Sequence, residues 1–383
     1  MAASCHGNGR LGLSQGRARA WRRPAVRKRG FQQNRTLLRP CRRRFMLRVY
    51  PETGPDWRRS RCAGRPSSVD IAGATGGNTS SMISVVIPTY KRHAVLRRAL
   101  ESIAPLREAA DEVVVVDQSP DAHQQKSAVK KDFPFIAYLC LPSPGLPASR
   151  NMGVFTTRGD IILFVDDDII MDKNCIRQHL NAHRRDGVHV VAGRIRQMRG
   201  AQWAPAETVA AIDPDTGVTT GNFDLDYEGF VEYATGGHMS VKRDVFRRVG
   251  LFNTRFRGNA LFEDIDFSCR VTRKGLGIWY NPRAMVHHHP QDAGGCHASH
   301  GASYLLDRLY NHTLFYFLNI ARVPSRAFLE YQKNLAEFIS RDPSGGHRVT
   351  MLLRCLAMAC RAYSSGIMTL CATWSRPSGM GAV

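Results

Sequence analysis

Asp160-Ile161-Ile162-Leu163-Phe164-Val165-Asp166-Asp167-Asp168 is the stretch whose reading decides the fold. Its apolar run is too short for a helix and has no polar face, which describes a strand buried on both sides inside a parallel sheet. Three carboxylates follow at once, where mutual repulsion is costly unless a cation or a set of donors compensates. Alternate residues of an extended chain share a face, so Asp166 and Asp168 can converge on one ion. Oxygen ligands of this kind select a hard divalent cation, Mg2+ or Mn2+. The same acids also suit a solvated loop leading to a helix near Asp172.

Upstream, Ile83-Ser84-Val85-Val86-Ile87 reads as a strand stopped by Pro88, and Val95, Leu96, Ala99, Leu100 and Ile103 recur at helical spacing. Glu112-Val113-Val114-Val115-Val116-Asp117 is a second β-branched strand, and Phe135 to Leu139 a third. Strands alternating with helices imply a parallel sheet covered on both faces, with ligands bound beyond the carboxyl ends of the strands. Pro88-Thr89-Tyr90, Asp117-Gln118-Ser119 and the acidic triad all fall on that edge. Each alone is an ordinary turn or helix cap; together they point to a site.

Downstream, Phe262-Glu263-Asp264-Ile265-Asp266-Phe267 opens an amphipathic helix with acids in its first turn. Such acids are ordinary partners of the helix dipole. A carboxylate there is also rigidly held, as a general base must be, and the reading assigns that role to Asp264, with Glu263 as its neighbour or an acceptor contact. Val286-His287-His288-His289-Pro290 follows a short strand expected at Ile278 to Tyr280. His287 and His289 would share a face, and the sequence leaves open which histidine turns inward.

The formal charge of +22 over 383 residues is unevenly spread. Residues 1–81 hold 18 Lys and Arg against three Asp and Glu and show no apolar periodicity, so a disordered basic extension is expected there. It is expected to be either an upstream stretch included by an early start choice, the protein proper beginning with the first ordered strand at Met82, or a basic arm. Nucleic acid is a poor partner for it, because no aromatic interleaving or reader motif accompanies the charge. The ten cysteines contain no CxxC pair, which argues for reduced thiols in the cytoplasm rather than disulfides or a zinc site. No run of eighteen uncharged apolar residues occurs, so any membrane contact would be peripheral. Residues 299–383 are expected to be helical, first packing on the domain through Leu309, Leu314 and Phe315. Later Leu352, Leu353, Leu356 and Met358, among Arg354 and Arg361, suit packing or an anionic membrane surface.

In order along the chain, Ile83 to Arg92, Val115-Val116-Asp117, Ala148-Ser149-Arg150-Asn151-Met152-Gly153, Arg158 to Asp168, Thr235-Gly236-Gly237-His238-Met239-Ser240, Gly250-Leu251-Phe252, Glu263-Asp264 and Ala284-Met285-Val286-His287 resemble the family 2 glycosyltransferases. The resemblance implies a GT-A (Rossmann-like) α/β fold over residues 82–298, with a mostly parallel sheet flanked by helices and a C-terminal helical extension. It implies an inverting, metal-dependent transfer from a nucleotide-diphosphate sugar to a saccharide or lipid-linked saccharide acceptor. Asp117 would bind the donor base, with Pro88 and Thr89 lining the same pocket and Arg150, Asn151 and Asp167 bordering the donor. Asp168, assisted by Asp166, would hold the metal, with His287 near it, and Asp264 would deprotonate the acceptor. Gln118-Ser119-Pro120 departs from the family's acid and glycine after Asp117, and the Gln-x-x-Arg-Trp signature of processive synthases is absent, so one sugar per encounter is expected. Residues 200–230, with Trp203, Asp213, Asp215, Asp224 and Asp226, are expected on the acceptor side. The competing readings are a catalytically inactive sugar-nucleotide-binding protein, opposed by intact Asp166, Asp168 and Asp264, and a nucleotidyltransferase, opposed by the lack of a Gly-rich phosphate loop near the first strand.

Overall fold

The computed structural model describes residues 81–198, 203, 206–291, 293–295, 302–321, 323–341, 350, 353, 357 and 359–365. The expected basic extension, apart from Ser81, lies outside the described residues, as do Leu352, Arg354, Leu356 and Met358.

The first half is a repeating strand–helix pattern: β1 (Ile83–Thr89), α1 (His93–Ile103), β2 (Glu112–Asp117), α2 (Ala122–Asp132), β3 (Ile136–Cys140), α3 (Leu146–Thr156) and β4 (Ile161–Val165). Every residue of β1 and of β4 is buried, the polar Ser84 and Thr89 of β1 included. Helix α1 buries Leu96, Ala99, Leu100 and Ile103, one stripe of a 3.6-residue repeat. Helix α3 lies so close to β1 that a Cβ at Gly153 would fall inside the Val86 side chain.

The second half consists of β5 (Ile169–Met171), α4 (Cys175–His183), β6 (Val188–Gln197), β7 (Ala211–Ile212), β8 (Thr219–Thr220), β9 (Gly229–Phe230), β10 (His238–Lys242), α5 (Arg243–Val249), α6 (Glu263–Arg273) and β11 (Gly277–His288). The main sheet runs in the order β3-β2-β1-β4-β10-β6-β11-β5, with β9 also on β11. The first four strands and the β6–β11 pair are parallel, whereas β10, β5 and β9 run against their neighbours. The sheet is therefore mostly parallel, with reversed strands that the strand–helix alternation did not announce. The strand expected at Ile278 to Tyr280 continues to His288, because β6 supplies a ladder along its whole length.

The acidic triad forces this sheet to curl. Only Asp166 to Asp168 separate β4, in the middle, from β5, at the far edge. Four Cα steps span at most about 14 Å, whereas four interstrand spacings in a flat sheet come to about 19 Å. The far edge must bend back towards β4, and it brings the end of β11 with it: His288 pairs with Ile169, the residue after the triad.

Helix α4 turns Cys175, Ile176, His179, Ala182 and His183 into the core. Burial pushes the His238 pKa down to about 4 and that of His183 to about 3, so these core imidazoles are neutral. Helix α7 (Ala302–Asn319) packs on α6: Leu314 and Phe315 are fully buried, and the Phe315 ring stacks on Phe262 at 5.4 Å. Helix α8 (Arg326–Ser340) follows it. Among the described residues, no helix is long and apolar enough to cross a membrane.

Candidate active site

Thr89, Asp117, the triad and His288 all lie at the carboxyl ends of strands sharing one direction, the edge where α/β sheets bind ligands. Arg92, the residue preceding α1, organises the centre. Its Nη1 donates to Asp168 Oδ2 at 2.9 Å and to Asp167 Oδ1 at 3.2 Å, and its Nε donates to the Ala293 carbonyl at 3.0 Å. Thr89 Oγ1 donates to Asp167 Oδ2 at 2.6 Å. Burial, reinforced by the charge of Asp168, pushes the Asp167 pKa up to about 7 against the pull of Arg92. Asp168 shifts the other way. Burial raises its pKa, but His288 and Arg92 together outweigh burial and leave it below the usual carboxylate range.

It is His288, not the expected His287, that reaches the triad, with its Nε2 3.2 Å from Asp168 Oδ1. Successive strand residues face opposite sides, so only one of the two can point there. The other ring nitrogen, Nδ1, lies 2.7 Å from Gln197 Oε1. With an oxygen acceptor at each nitrogen, the His288 pKa is raised, because Asp168 more than offsets burial.

Asp166 differs from its neighbours. Its side chain keeps 40% of its surface exposed, and its nearest cation, Arg150 Nη2, is 3.5 Å away. Arg150 projects from α3, is 2% exposed, and pairs through Nη1 with the buried Glu263 Oε1 at the start of α6. One guanidinium thus joins the acids after β4 to the acids of α6. The glycine pair before β10 makes room for it: a Cβ at Gly236 would sit 2.5 Å from Arg150 Cζ, and one at Gly237 would sit 2.6 Å from Asp166 Oδ2. The Gly236 amide donates to Asp264 Oδ2 at 2.7 Å, and Ile265 N donates to Oδ1 at 2.9 Å, so the half-buried Asp264 is held at the same point. The turn into α6 is strained, with Ala260 at φ 52° and Phe262 at φ 73°, neither of them glycine.

The donor set suits a divalent cation. Asp166 offers an open carboxylate, Asp168 Oδ1 is buried with only the His288 imidazole against it at 3.2 Å, and that imidazole is itself a metal-ligand type. Arg92 already neutralises part of the charge on Asp167 and Asp168.

The residues expected to line the nucleotide pocket are bonded within the chain. Asp117 is fully buried and accepts four bonds from within the chain: Ser119 N (2.8 Å) and Ser119 Oγ (2.6 Å) on Oδ1, Tyr138 Oη (2.5 Å) and His93 Nε2 (2.7 Å) on Oδ2. Gln118, where the family carries an acid, donates to the Gly145 carbonyl at 3.0 Å. Asn151, expected beside the donor, spends its amide on Phe252, accepting from its N and donating to its O, each at 2.9 Å. Pro88 is buried beside Thr89. Of the residues expected on the acceptor side, Asp224 takes Arg194 Nε at 2.6 Å, Asp213 caps its own turn through Thr216, and Trp203 donates to the Ile195 carbonyl at 2.8 Å. Arg92, His93 and Tyr138 were given no role from sequence. The one signal for Arg92 was a cation three residues beyond the first strand's end.

Residues 84–250 match the family model described as "Glycosyl transferase family 2". An uncharacterized glycosyltransferase of Haemophilus influenzae is 33% identical over 97 residues, 24% of this chain and 32% of that one. An uncharacterized glycosyltransferase, YfnE, of Bacillus subtilis is 29% identical over 113 residues, 29% of either chain. The chain thus spans about a third of the length of these relatives. The succinoglycan biosynthesis protein ExoM of Rhizobium meliloti is 25% identical over 222 residues, 55% of this chain and 67% of that one. Among solved structures, that of GalNAc-T7 with UDP, GalNAc and Mn2+ superposes with a TM-score of 0.50 at 15% identity, covering 79% of this chain and 59% of that one.

Proposed function

From the family 2 glycosyltransferase domain that residues 84–250 form, we infer that this chain transfers one sugar per encounter from a nucleotide-diphosphate sugar to an acceptor hydroxyl, with inversion at the anomeric carbon. The observation that carries this reading is the Arg150 bridge between Asp166 and Glu263, which holds a donor-side acid and the acids of α6 at one fixed spacing. A transferase needs such a spacing between leaving group and base.

Asp264 takes the acceptor hydroxyl proton. The freed oxygen bonds to the anomeric carbon as the bond from that carbon to the diphosphate oxygen breaks on the opposite face. The Gly236 amide fixes the orientation of Asp264, and Glu263 acts through Arg150 as a positioning residue. Asp166 and Asp168, with His288 rather than His287, would hold Mg2+ or Mn2+, which when bound neutralises charge on the departing diphosphate. Arg92 keeps Asp167 and Asp168 tolerably charged in a buried place. The saturation of Asp117 supports base recognition by neighbouring backbone rather than by a free carboxylate, since Gln118 Nε2 and Ser119 Oγ are also spent within the chain. A saccharide or lipid-linked saccharide acceptor, in polysaccharide or glycolipid assembly, is in keeping with ExoM being described as a succinoglycan biosynthesis protein. Cysteines without a CxxC pair support a cytoplasmic setting, with any membrane contact peripheral.

Calorimetric titration of the full chain with UDP, GDP and dTDP, with and without Mn2+, tests the donor site. The expected result is tight binding of one nucleotide that depends on Mn2+ and disappears in Asp168→Ala. Failure of all three to bind would sink the donor assignment. Asp264→Asn is expected to bind that nucleotide normally while transferring sugar about 100- to 10,000-fold more slowly. A variant with ordinary turnover would remove Asp264 from the reaction.

A further inference from the structure

Beneath α4, one residue beyond the glycine pair that borders Asp166, three ligand atoms converge in the interior. Cys175 opens α4 and His179 follows one turn later on the same face. His238 opens β10 from the other side. Cys175 Sγ lies 3.3 Å and His179 Nε2 3.0 Å from His238 Nε2, and the three atoms all fall within 4.8 Å of one another. All three residues are fully buried. The room for the second imidazole is built in, because β6 carries Gly193 opposite it and a Cβ there would fall inside the His238 ring.

The surrounding bonds orient the lone pairs inward. His238 Nδ1 lies 3.2 Å from the Arg194 carbonyl, which can only accept, so Nδ1 carries the proton and Nε2 offers its lone pair to the cluster. With His179 Nδ1–H donating to Ser240 Oγ, its Nε2 also turns a lone pair inward, 3.0 Å from that of His238. His179 Nδ1 is held 2.8 Å from Ser240 Oγ, which also lies 2.8 Å from His183 Nε2. Imidazoles anchored through their outer nitrogens by a carbonyl and a hydroxyl are what metal ligands require. Ligand atoms around one cation, at about 2.0 Å for nitrogen and 2.3 Å for sulfur, stand roughly 3.3–3.7 Å apart, close to the spacings present.

We infer that Cys175, His179 and His238 form a closed binding site for a thiophilic d10 cation, Cu+ or Zn2+, that ties α4 to β10. On binding, the Sγ–H bond breaks, the proton leaves to solvent and the sulfur lone pair goes to the cation; no oxidant or reductant is consumed. Charge separates the two ions. Cu+ with one thiolate is neutral and is satisfied by three ligands, whereas Zn2+ leaves a net positive charge in a dry interior and lacks a fourth ligand. A site for Cu+ is therefore the better match.

The test uses the full chain, stripped of metal and titrated anaerobically under reducing conditions with Cu+ and, separately, with Zn2+, each against a chromophoric competitor. One equivalent of Cu+ is expected to bind, with an X-ray absorption first shell of one sulfur and two nitrogens, and to raise the unfolding temperature. That equivalent is lost in Cys175→Ala and kept in Cys360→Ala, whose thiol is exposed. Stoichiometric Zn2+ with the same shell supports the site and corrects the ion. Binding of neither ion overturns the inference, and so does a shell of several sulfurs or one without imidazole nitrogen. The absorption measurement on the unaltered chain decides the matter even if Cys175→Ala does not fold.

Discussion

Asn151 stands next to Arg150 in the chain yet serves packing, with both ends of its amide closed on the Phe252 backbone. Asn151→Ala leaves a buried N–H and C=O without partners, and each such group costs about 1–3 kcal/mol. The expected outcome in urea denaturation is a marked loss of stability, with donor affinity unchanged in calorimetry. A weakened donor with intact stability would return Asn151 to the pocket. Asp117 supplies a prediction in pH. Burial raises its pKa, but the bonds from Ser119, Tyr138 and His93 win and hold it below the usual carboxylate range. A depressed acid contributes stability above its unfolded pKa and loses it as pH falls through the folded value. Tyr138→Phe removes one donor, so about 1.5–3 kcal/mol disappears at neutral pH, and the further loss on acidification becomes smaller and is complete at a higher pH. Melting curves from pH 2 to 7 check this, and curves for the two proteins that stay parallel throughout would count against it. The acids themselves were readable in the sequence, because three carboxylates after an apolar strand have few structural excuses. Their partners Arg92 and His288 were not, since both contacts depend on the curl of the sheet.

At the scale of elements, the β-branched runs gave away β1 to β4, where local burial and local sequence agree. β5 was invisible. Three residues carry no period, and the ladder that makes them a strand is with β11, more than a hundred residues later. The same distance hid the Cys175–His179–His238 cluster, which no linear spacing rule joins. The approach of α3 to β1 yields a further prediction. A methyl at Gly153 must displace Val86 or push the helix off the sheet, so Gly153→Ala is expected to cost about 1–3 kcal/mol by overpacking. Because Arg150 rides on the same helix, transfer activity should fall with it. Chemical denaturation and a rate measurement on one sample check both, and an unchanged midpoint would mean that the helix has slack.

For the whole molecule, α7 is joined to the rest through Leu314 and Phe315, which bury fully, and through the Phe315 ring on Phe262, the residue before Glu263. Removing residues 302–383 strips away that cover. Burial of two such side chains is worth about 3–6 kcal/mol, and the start of α6 loses its support. Low soluble yield or a much reduced melting temperature is expected by circular dichroism, whereas a shortened chain that melts like the intact one would make the helices dispensable. The sequence showed apolar residues in this region but not which surface they cover, since amphipathic stripes carry no address.

The strand order also sets a timetable for the ribosome. The β3-β2-β1-β4 half is complete once Val165 has emerged, but the other edge of β4 waits for β10, and β6 waits further for β11, which ends at His288. At about 5–20 residues per second, that delay is on the order of ten seconds. Throughout it the nascent chain presents the unpaired edge of its most apolar strand, an invitation to stick to its neighbours on a polysome or to a chaperone. Slow codons between Val165 and Lys242 would lengthen the exposure, and a host short of chaperones would return this protein as aggregate however stable its finished sheet.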